Sequence, residues 1–147
     1  MIEIKQVKTE NQELYGFVEE LMHTAFPAQE RRDTPQQREY SDSNPLFCNN
    51  VIVEDGKPVG MISYWDMGDF YYIEHFAIDP SLRNGGYGKR VLESIQTKLQ
   101  AHIRVVKVCR RVWQLKRGRS TVPFGFFAST SSLQSRMMRR MALFSVP

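Results

Sequence analysis

Hydrophobic and polar positions in the first 100 residues follow two periods, one typical of strands and one typical of helices. Residues 2–7 place apolar side chains near every second position, which predicts a half-buried strand. From Leu14 to Ala25 the apolar residues recur at helical intervals and stop before Pro27, which predicts an amphipathic helix. Because Thr9 and Gln12 have the spacing of a capping box, this helix is expected to begin beside them.

The next segments predict a short helix followed by three strands. A second helix is expected to begin at Thr34 and Pro35, because proline fits the first turn of a helix. Strand-like runs then occupy residues 46–54, 58–66 and 70–78. Asp55-Gly56 is a favoured hairpin centre, and residues 67–69 suit a short turn, so the three runs are expected to form an antiparallel meander.

After the meander, apolar residues at helical spacing predict a helix over residues 89–100, and residues 103–109 predict a further strand. The resulting order is β-α-α-β-β-β-α-β. It indicates an α/β (α+β) domain with a mixed, mostly antiparallel central sheet flanked by helices.

Composition restricts the class of protein. A chain of 147 residues is the size of one domain, and 41% hydrophobic with 24% charged residues is globular. The two cysteines, Cys48 and Cys109, are too few for a disulfide framework and lack metal-ligand spacing, so no metal site is expected. The polar N-terminus carries no targeting signal and no apolar run is long enough to span a membrane, so a cytoplasmic protein is expected.

Charge divides the chain into two unlike parts. Residues 1–100 contain all 16 Asp and Glu but 10 of the 20 Lys and Arg, a net charge of −6. Residues 101–147 contain the other 10 Lys and Arg and no acid, a net charge of +10. The overall charge of +4 is therefore the sum of −6 from the first 100 residues and +10 from the last 47.

The clearest chemical motif joins the last meander strand to the following helix. Arg83-Asn84-Gly85-Gly86-Tyr87-Gly88-Lys89 has three glycines directly before a helix N-terminus, where free backbone N–H groups and the helix dipole attract anions. Arg90 follows Lys89 where a nucleotide P-loop needs Ser or Thr, and Val91 stands where the dinucleotide fingerprint needs glycine. A phosphate-binding loop of another type is therefore expected.

With its strand-loop-helix context, this motif resembles that of the GNAT N-acetyltransferases, whose acetyl-coenzyme A motif is Arg or Gln, two residues, Gly, one residue, then Gly or Ala. Arg83, Gly86 and Gly88 match it, and residues 2–100 supply the family's preceding elements in order, so that the resemblance extends over residues 2–103. The resemblance implies transfer of an acetyl group from acetyl-coenzyme A to an amine.

The resemblance also implies roles for individual residues. Coenzyme A phosphates would lie on the loop amides, and backbone groups of the preceding strand would hold the pantetheine arm and the thioester carbonyl. The implied cofactor-binding residues are Phe76, Ala77, Ile78, Arg83, Asn84, Gly85, Gly86, Tyr87, Gly88 and Lys89.

Glu74 is the candidate general base for deprotonating the amine. Strand periodicity predicts that Glu74 shares a face with Phe76, whereas His75 points to the opposite face and is expected to be a packed core residue. The alternative is a structural Glu74 that pairs with a buried arginine or orders a loop.

The amine acceptor is expected to be a small molecule or a peptide. The resemblance places it against the first helix, residues 26–32, and the strand with Tyr64 and Trp65. The charges of residues 30–33 are expected to form a solvated connection.

The family pattern fails in the basic segment, residues 104–147. In the family, a helix after the fifth strand is followed by a Phe-Tyr pair whose tyrosine is the general acid, but the last of the six tyrosines here is Tyr87. Residue types encoded with adenine at the second codon position number 41 in residues 1–100 and five afterwards. We therefore hypothesise that translation leaves the ancestral reading frame between about residues 100 and 110.

Other interpretations stay open. The chain is either an active enzyme or an inactive relative that binds coenzyme A. The basic segment, with Trp113 among cations, is alternatively a nucleic-acid-binding arm. A sheet closed imperfectly by this segment would expose an edge and favour a homodimer.

Overall fold

Five strands and three helices make up the part of the chain that the computed structural model describes, residues 1–68, 71–99 and 103–106. The strands are β1 (Ile2–Gln6), β2 (Phe47–Glu54), β3 (Lys57–Asp66), β4 (Tyr71–Ile78) and β5 (Ile103–Val106). The helices are α1 (Gln12–Ala25), α2 (Thr34–Ser43) and α3 (Tyr87–Leu99), with short 3₁₀ turns at Ala28–Glu30 and Pro80–Leu82. The predicted element order is confirmed.

The strands form one sheet in the order β1-β2-β3-β4-β5. The first four are antiparallel neighbours, as the meander predicted, and β5 is parallel to β4. Pairing between β4 and β5 runs from Tyr71 to Ile73. Within the described residues, the edge of β4 from Glu74 to Ile78 on the β5 side has no paired strand.

The turns have the backbone that their sequences predict. At the β2–β3 hairpin, Asp55 and Gly56 both have positive φ, 51° and 80°, as a two-residue turn with the twist of the strands requires. Gly68, in the predicted turn between β3 and β4, has a φ of 86°.

Helix caps correct one prediction and refine another. The N-cap of α1 is Asn11, whose Oδ1 accepts from Leu14 N–H at 3.2 Å, so the prediction of a cap at Thr9 was wrong. Thr9 instead donates its hydroxyl and its N–H to Asp42 of α2. Helix α2 begins at Thr34 as predicted, and Asp33 caps it by accepting from Gln36 N–H.

Apolar side chains cover both faces of the sheet. On one face, Val18, Leu21 and Met22 of α1 pack against Val51, Met61 and Ala77. On the other face, Val91 and Ile95 of α3 pack against Ile62, Ile73 and Phe76. Phe47, Trp65, Met67 and Tyr72 form a third cluster, and the partly buried Tyr40 of α2 packs against it.

None of the described helices is long and apolar enough to cross a membrane. Of the basic segment, the structure describes residues 104–106, whose backbone belongs to β5. The predictions of a changed reading frame, a nucleic-acid-binding arm and an imperfectly closed sheet concern residues that lie outside the described part.

Candidate active site

The glycine-rich loop begins at a tight turn directly after β4. Asp79 fixes this turn by accepting hydrogen bonds from the N–H and the hydroxyl of Ser81, at 2.8 and 2.7 Å. Asn84 and Gly86 then have positive φ, 72° and 73°. Because side chains strain this backbone region, glycine at 86 lets the chain turn sharply into α3.

The loop ends in a helix N-terminus two residues earlier than residue 89, where the sequence predicted it. Helix α3 begins at Tyr87, and its first hydrogen bond runs from Arg90 N–H to Gly86 C=O, 3.3 Å. The N–H groups of Tyr87, Gly88 and Lys89 therefore precede the hydrogen-bonded ladder and are available to an anion.

The side chains around the loop differ in what they contact. Arg83 is exposed, and Lys89, 61% exposed, pairs loosely with Glu93 at 3.7 Å. Arg90 is already engaged, because it pairs with Glu54 and lies over the Tyr87 ring. Arg83 and Lys89 are thus the loop cations whose charge remains available to a ligand.

Strand β4, which leads to the loop, could contact a ligand there through its backbone rather than through its side chains. Phe76 and Ala77 are 2% and 5% exposed, and Ile78 is partly buried in the α3-side core. A Cβ at Gly60 of β3 would lie 2.6 Å from Ala77 O, so β3 and β4 approach closely here. Among the described residues, no strand pairs with residues 76–78 on the edge away from β3, so the backbone on that edge is the part that could contact a ligand.

A β-bulge in β4 overturns the predicted placement of Glu74. Opposite β3, Ser63 pairs with His75 and Tyr64 pairs with Ile73, so Glu74 is the extra residue. Phe76 packs with α3, whereas Glu74 contacts Trp65 and His75 contacts Ser63, which lie on the other face. The prediction that Glu74 and Phe76 share a face was wrong, because the bulge interrupts the two-residue period.

Glu74 is held by a dense set of donors. Arg32 Nη2 lies 2.6 Å from each carboxylate oxygen, and Trp65 Nε1 donates to Oε2 at 3.1 Å. The side chains of Arg32 and Glu74 are 12% and 17% exposed. Glu74 thus forms the ion pair with a buried arginine that was the alternative to the base role, and it keeps some contact with solvent.

Arg32 is the site residue that sequence reasoning missed. Its guanidinium carbon lies 5.0, 5.0 and 5.3 Å from the ring centres of Tyr40, Phe47 and Trp65. The prediction that residue 32 belongs to a solvated connection was therefore wrong. The available signal was a lone carboxylate in the apolar strand β4, which requires a cation from elsewhere in the chain.

His75 is packed, as predicted. It is 4% exposed and meets the Phe26 ring edge to face at 4.8 Å. Because a carbonyl only accepts, the 2.8 Å contact with Glu30 O assigns the proton to Nε2, and Nδ1 faces the Ser63 hydroxyl at 3.2 Å. His75 therefore ties β4 to the connection between α1 and α2.

Tyr72 is the buried tyrosine nearest in sequence to Glu74 and packs with Trp65 on the same face. The pKa of the Tyr72 phenol is raised above its ordinary value, mainly by burial and to a smaller extent by the charge of Glu74.

Among the described residues, no group of three His, Cys, Asp or Glu is arranged to hold a metal ion.

Comparisons with known proteins agree with this architecture. Residues 13–116 match the model of the acetyltransferase (GNAT) family. A putative GNAT-family acetyltransferase from Bacteroides thetaiotaomicron is 31% identical, with 99% of each chain covered and a TM-score of 0.71. None of the curated proteins compared with the chain matches it significantly.

More distant solved structures share the fold. An aminoglycoside 6'-N-acetyltransferase complexed with coenzyme A is 18% identical, covering 67% of this chain and 55% of its own, with a TM-score of 0.53. An N-acetylglutamate synthase from Neisseria gonorrhoeae, complexed with coenzyme A and N-acetyl-glutamate, is 16% identical, covering 98% and 33%, with a TM-score of 0.56.

Proposed function

The chain belongs to the acetyltransferase (GNAT) family, the acyl-CoA-dependent N-acyltransferases, and from this premise we propose that it transfers the acetyl group of acetyl-coenzyme A to a primary amine. The acceptor in this proposal is a small molecule or a peptide. The two distant structures described above contain coenzyme A, which supports acetyl-coenzyme A as the cosubstrate.

The observation that carries the proposal is the anion-binding loop at the end of an open strand edge. A Cβ at Gly86 would meet no other described atom within 4 Å, so the space beside this residue of the loop is open. Backbone donors at a helix N-terminus fit a pyrophosphate. Arg83 and Lys89 add positive charge beside it, so the residues present fit coenzyme A.

In the proposed reaction the neutral amine attacks the thioester carbonyl. A C–N bond forms, the C–S bond breaks, and the electron pair leaves with sulfur. A backbone N–H on the open edge at residues 76–78 would stabilise the negative charge that develops on the carbonyl oxygen. Because the cosubstrate carries the activated acyl group, the protein must chiefly position the reactants and remove a proton.

Glu74 is the proposed acceptor of that proton. A positioned general base contributes about 10²- to 10⁴-fold to rate. Support comes from its place on β4, directly before the open edge, and from its partial exposure of 17%. In the competing role, Glu74 serves only to hold Arg32 and the connection between α1 and α2 in place.

The test has two stages. Acetyl-coenzyme A at 100 times its dissociation constant should stabilise the protein by about 2.7 kcal/mol, measured as a thermal shift. Thiol release with a panel of primary amines then measures transfer. A thermal shift without transfer to any amine would favour the inactive coenzyme A-binding relative, and no shift at millimolar acetyl-coenzyme A would contradict the cofactor site.

Glu74→Gln tests the base. It should lower kcat by about 10²-fold or more while the thermal shift with acetyl-coenzyme A persists. Unchanged turnover would remove Glu74 from the mechanism. Glu93→Gln is the matched control, because Glu93 is 54% exposed and pairs only loosely with Lys89.

For residues 104–147 we retain the proposal of a changed reading frame, which the gene sequence tests directly. If neither alternative frame downstream encodes an acidic helix with a Phe-Tyr pair, the proposal fails. Salt-dependent binding of nucleic acid by the full chain, measured by filter binding, tests the alternative of a nucleic-acid-binding arm. Sedimentation tests the proposed homodimer.

A further inference from the structure

The orientation of the Glu74 carboxylate is not fixed by its own rotamer. The last side-chain torsion of glutamate joins an sp³ carbon to an sp² carbon and has a broad, roughly two-fold preference. Hydrogen-bond partners must therefore decide which oxygen lone pairs face the site. In this protein those partners come from Arg32 and Trp65.

Counting the donors shows what remains available on the carboxylate. A carboxylate offers about four lone-pair sites, two on each oxygen. Oε2 accepts from Arg32 and from Trp65, whereas Oε1 accepts from Arg32. His75 also lies on the Oε2 side of the carboxylate, with Nδ1 at 3.9 Å. Among the described residues, Oε1 is therefore the oxygen with a lone pair to spare.

Arg32 is itself fixed at both of its terminal nitrogens. Nη2 contacts Glu74, and Nη1 donates to Gln37 Oε1 at 3.0 Å. Gln37 is 8% exposed, so this anchor is buried. Tyr40, Phe47 and Trp65 surround the guanidinium, and cation–π contacts oppose its rotation. A planar guanidinium held in this way donates its hydrogen bonds in a fixed direction, whereas the donors of a lysine ammonium rotate freely.

We propose that Arg32 and Trp65 are positioning residues that present the remaining lone pair of Glu74 Oε1 to the ammonium group of the acceptor. This inference rests on the proposed acetyl transfer. The ammonium gives one proton to Oε1, and the nitrogen pair so released forms the C–N bond as the C–S bond breaks. The nitrogen loses its second proton to solvent, and Glu74 releases the proton that it accepted to solvent before the next cycle. The coenzyme A thiolate that leaves takes a proton from solvent.

The kinetic test compares Arg32, which precedes α2, with Arg38, which lies within α2. Arg32→Lys keeps the charge but loses the planar geometry, and it should lower kcat with saturating acetyl-coenzyme A about tenfold or more. The KM for acetyl-coenzyme A should stay within about twofold, because the loop that binds it is separate. Trp65→Phe, which keeps a ring but removes the donor, should lower kcat by a smaller factor. Wild-type kcat in Arg32→Lys would overturn the proposal.

Arg38→Lys is the matched control. Arg38 also makes two hydrogen bonds to a carboxylate, that of Glu19, at 3.0 and 2.8 Å, but its side chain is 52% exposed. Arg38→Lys should leave kcat unchanged. An equal fall in kcat in the two lysine variants would show a general effect on stability and would also overturn the proposal.

A spectroscopic signature tests the positioning without requiring turnover. The NMR resonance of the Trp65 indole N–H reports its bond to Glu74 Oε2. It should move in Glu74→Gln and in Arg32→Lys, and stay in place in Arg38→Lys. If the chemical shift of the indole N–H changes in neither Glu74→Gln nor Arg32→Lys, the positioning role is overturned. If the resonance moves as expected but the wild type transfers no acetyl group, the proposed function is contradicted instead.

Discussion

The segment from Glu74 in β4 to Lys89 in α3 carries two different kinds of chemistry at its two ends. At its C-terminal end, the loop from Arg83 to Lys89 offers backbone N–H groups that the start of α3 leaves free. At the bulge, Glu74 offers a side chain that Arg32 and Trp65 hold. The first end depends on the local backbone, and the second depends on residues from three separate segments of the chain.

This difference determines how each end responds to change. A loop built from backbone is sensitive to any side chain placed where glycine is required. A carboxylate held by distant donors is sensitive to the loss of any one of them, because the charge then stays half-buried without its partner. Substitutions at the two ends should therefore separate cofactor binding from stability and turnover.

The largest effect is expected from Gly86→Val in the loop. A β-branched residue strains a backbone with φ of 73° and displaces the neighbouring amides. Losing two charge-assisted hydrogen bonds, at about 1.5–3 kcal/mol each, should weaken acetyl-coenzyme A binding by at least about 100-fold. Isothermal titration measures this loss. Gly16→Val in α1 is the control, because a Cβ added at Gly16 would meet no atom within 4 Å outside its own helix backbone and chain neighbours. Unaltered affinity in Gly86→Val would place the pyrophosphate elsewhere.

At the bulge, Arg32→Met should lower the free energy of unfolding by about 2–4 kcal/mol, because Glu74 is left without its cation. Urea denaturation measures the change. Arg38→Met, at an exposed pair, should cost about 1 kcal/mol or less. The stabilisation by acetyl-coenzyme A should persist in both variants. Equal costs at residues 32 and 38 would contradict the distinction between the two pairs.

Between the two ends, Gly60→Ala tests the close approach of β3 to β4. The added Cβ would lie 2.6 Å from Ala77 O, a backbone atom that cannot move aside without shifting β4. We expect a loss of about 1–3 kcal/mol in unfolding free energy and a weaker effect on acetyl-coenzyme A than Gly86→Val has. If Gly60→Ala leaves the free energy of unfolding unchanged, β4 can shift to accept the added Cβ without cost.

The smallest effect is expected far from both ends, at Asp42. Hydrogen bonds from Thr9 hold the pKa of Asp42 below its ordinary 3.8. Because the folded pKa lies below the unfolded one, this stabilisation is complete above about pH 4 and is lost as the pH falls through the folded pKa. In Asp42→Asn, the free energy of unfolding should fall slightly less steeply than in the wild type as the pH is lowered below about 4. Urea denaturation at several pH values measures this difference. An unchanged acid slope would contradict this contribution.

Sequence patterns predicted what depends on neighbours in the chain. Asp55-Gly56 and the glycine loop were predictable because positive φ is a local property of those residues. The cap of α1 was placed two residues early, because Thr9 prefers a tertiary partner, Asp42. The bulge at Glu74 and the burial of Arg32 were not predictable, because both depend on strand register and on contacts between distant segments.

The length of β4 has a consequence for which thioesters the protein can use. Four residue steps, roughly 13 Å of extended strand, separate Glu74 from Ile78, and the loop follows beyond them. In the proposed reaction, β4 therefore sets the distance between the carboxylate that accepts the proton and the loop that binds the phosphates. We expect a thioester with a shorter thiol arm than that of coenzyme A to reach only one of these two sites, so that the strand would select the cosubstrate by length.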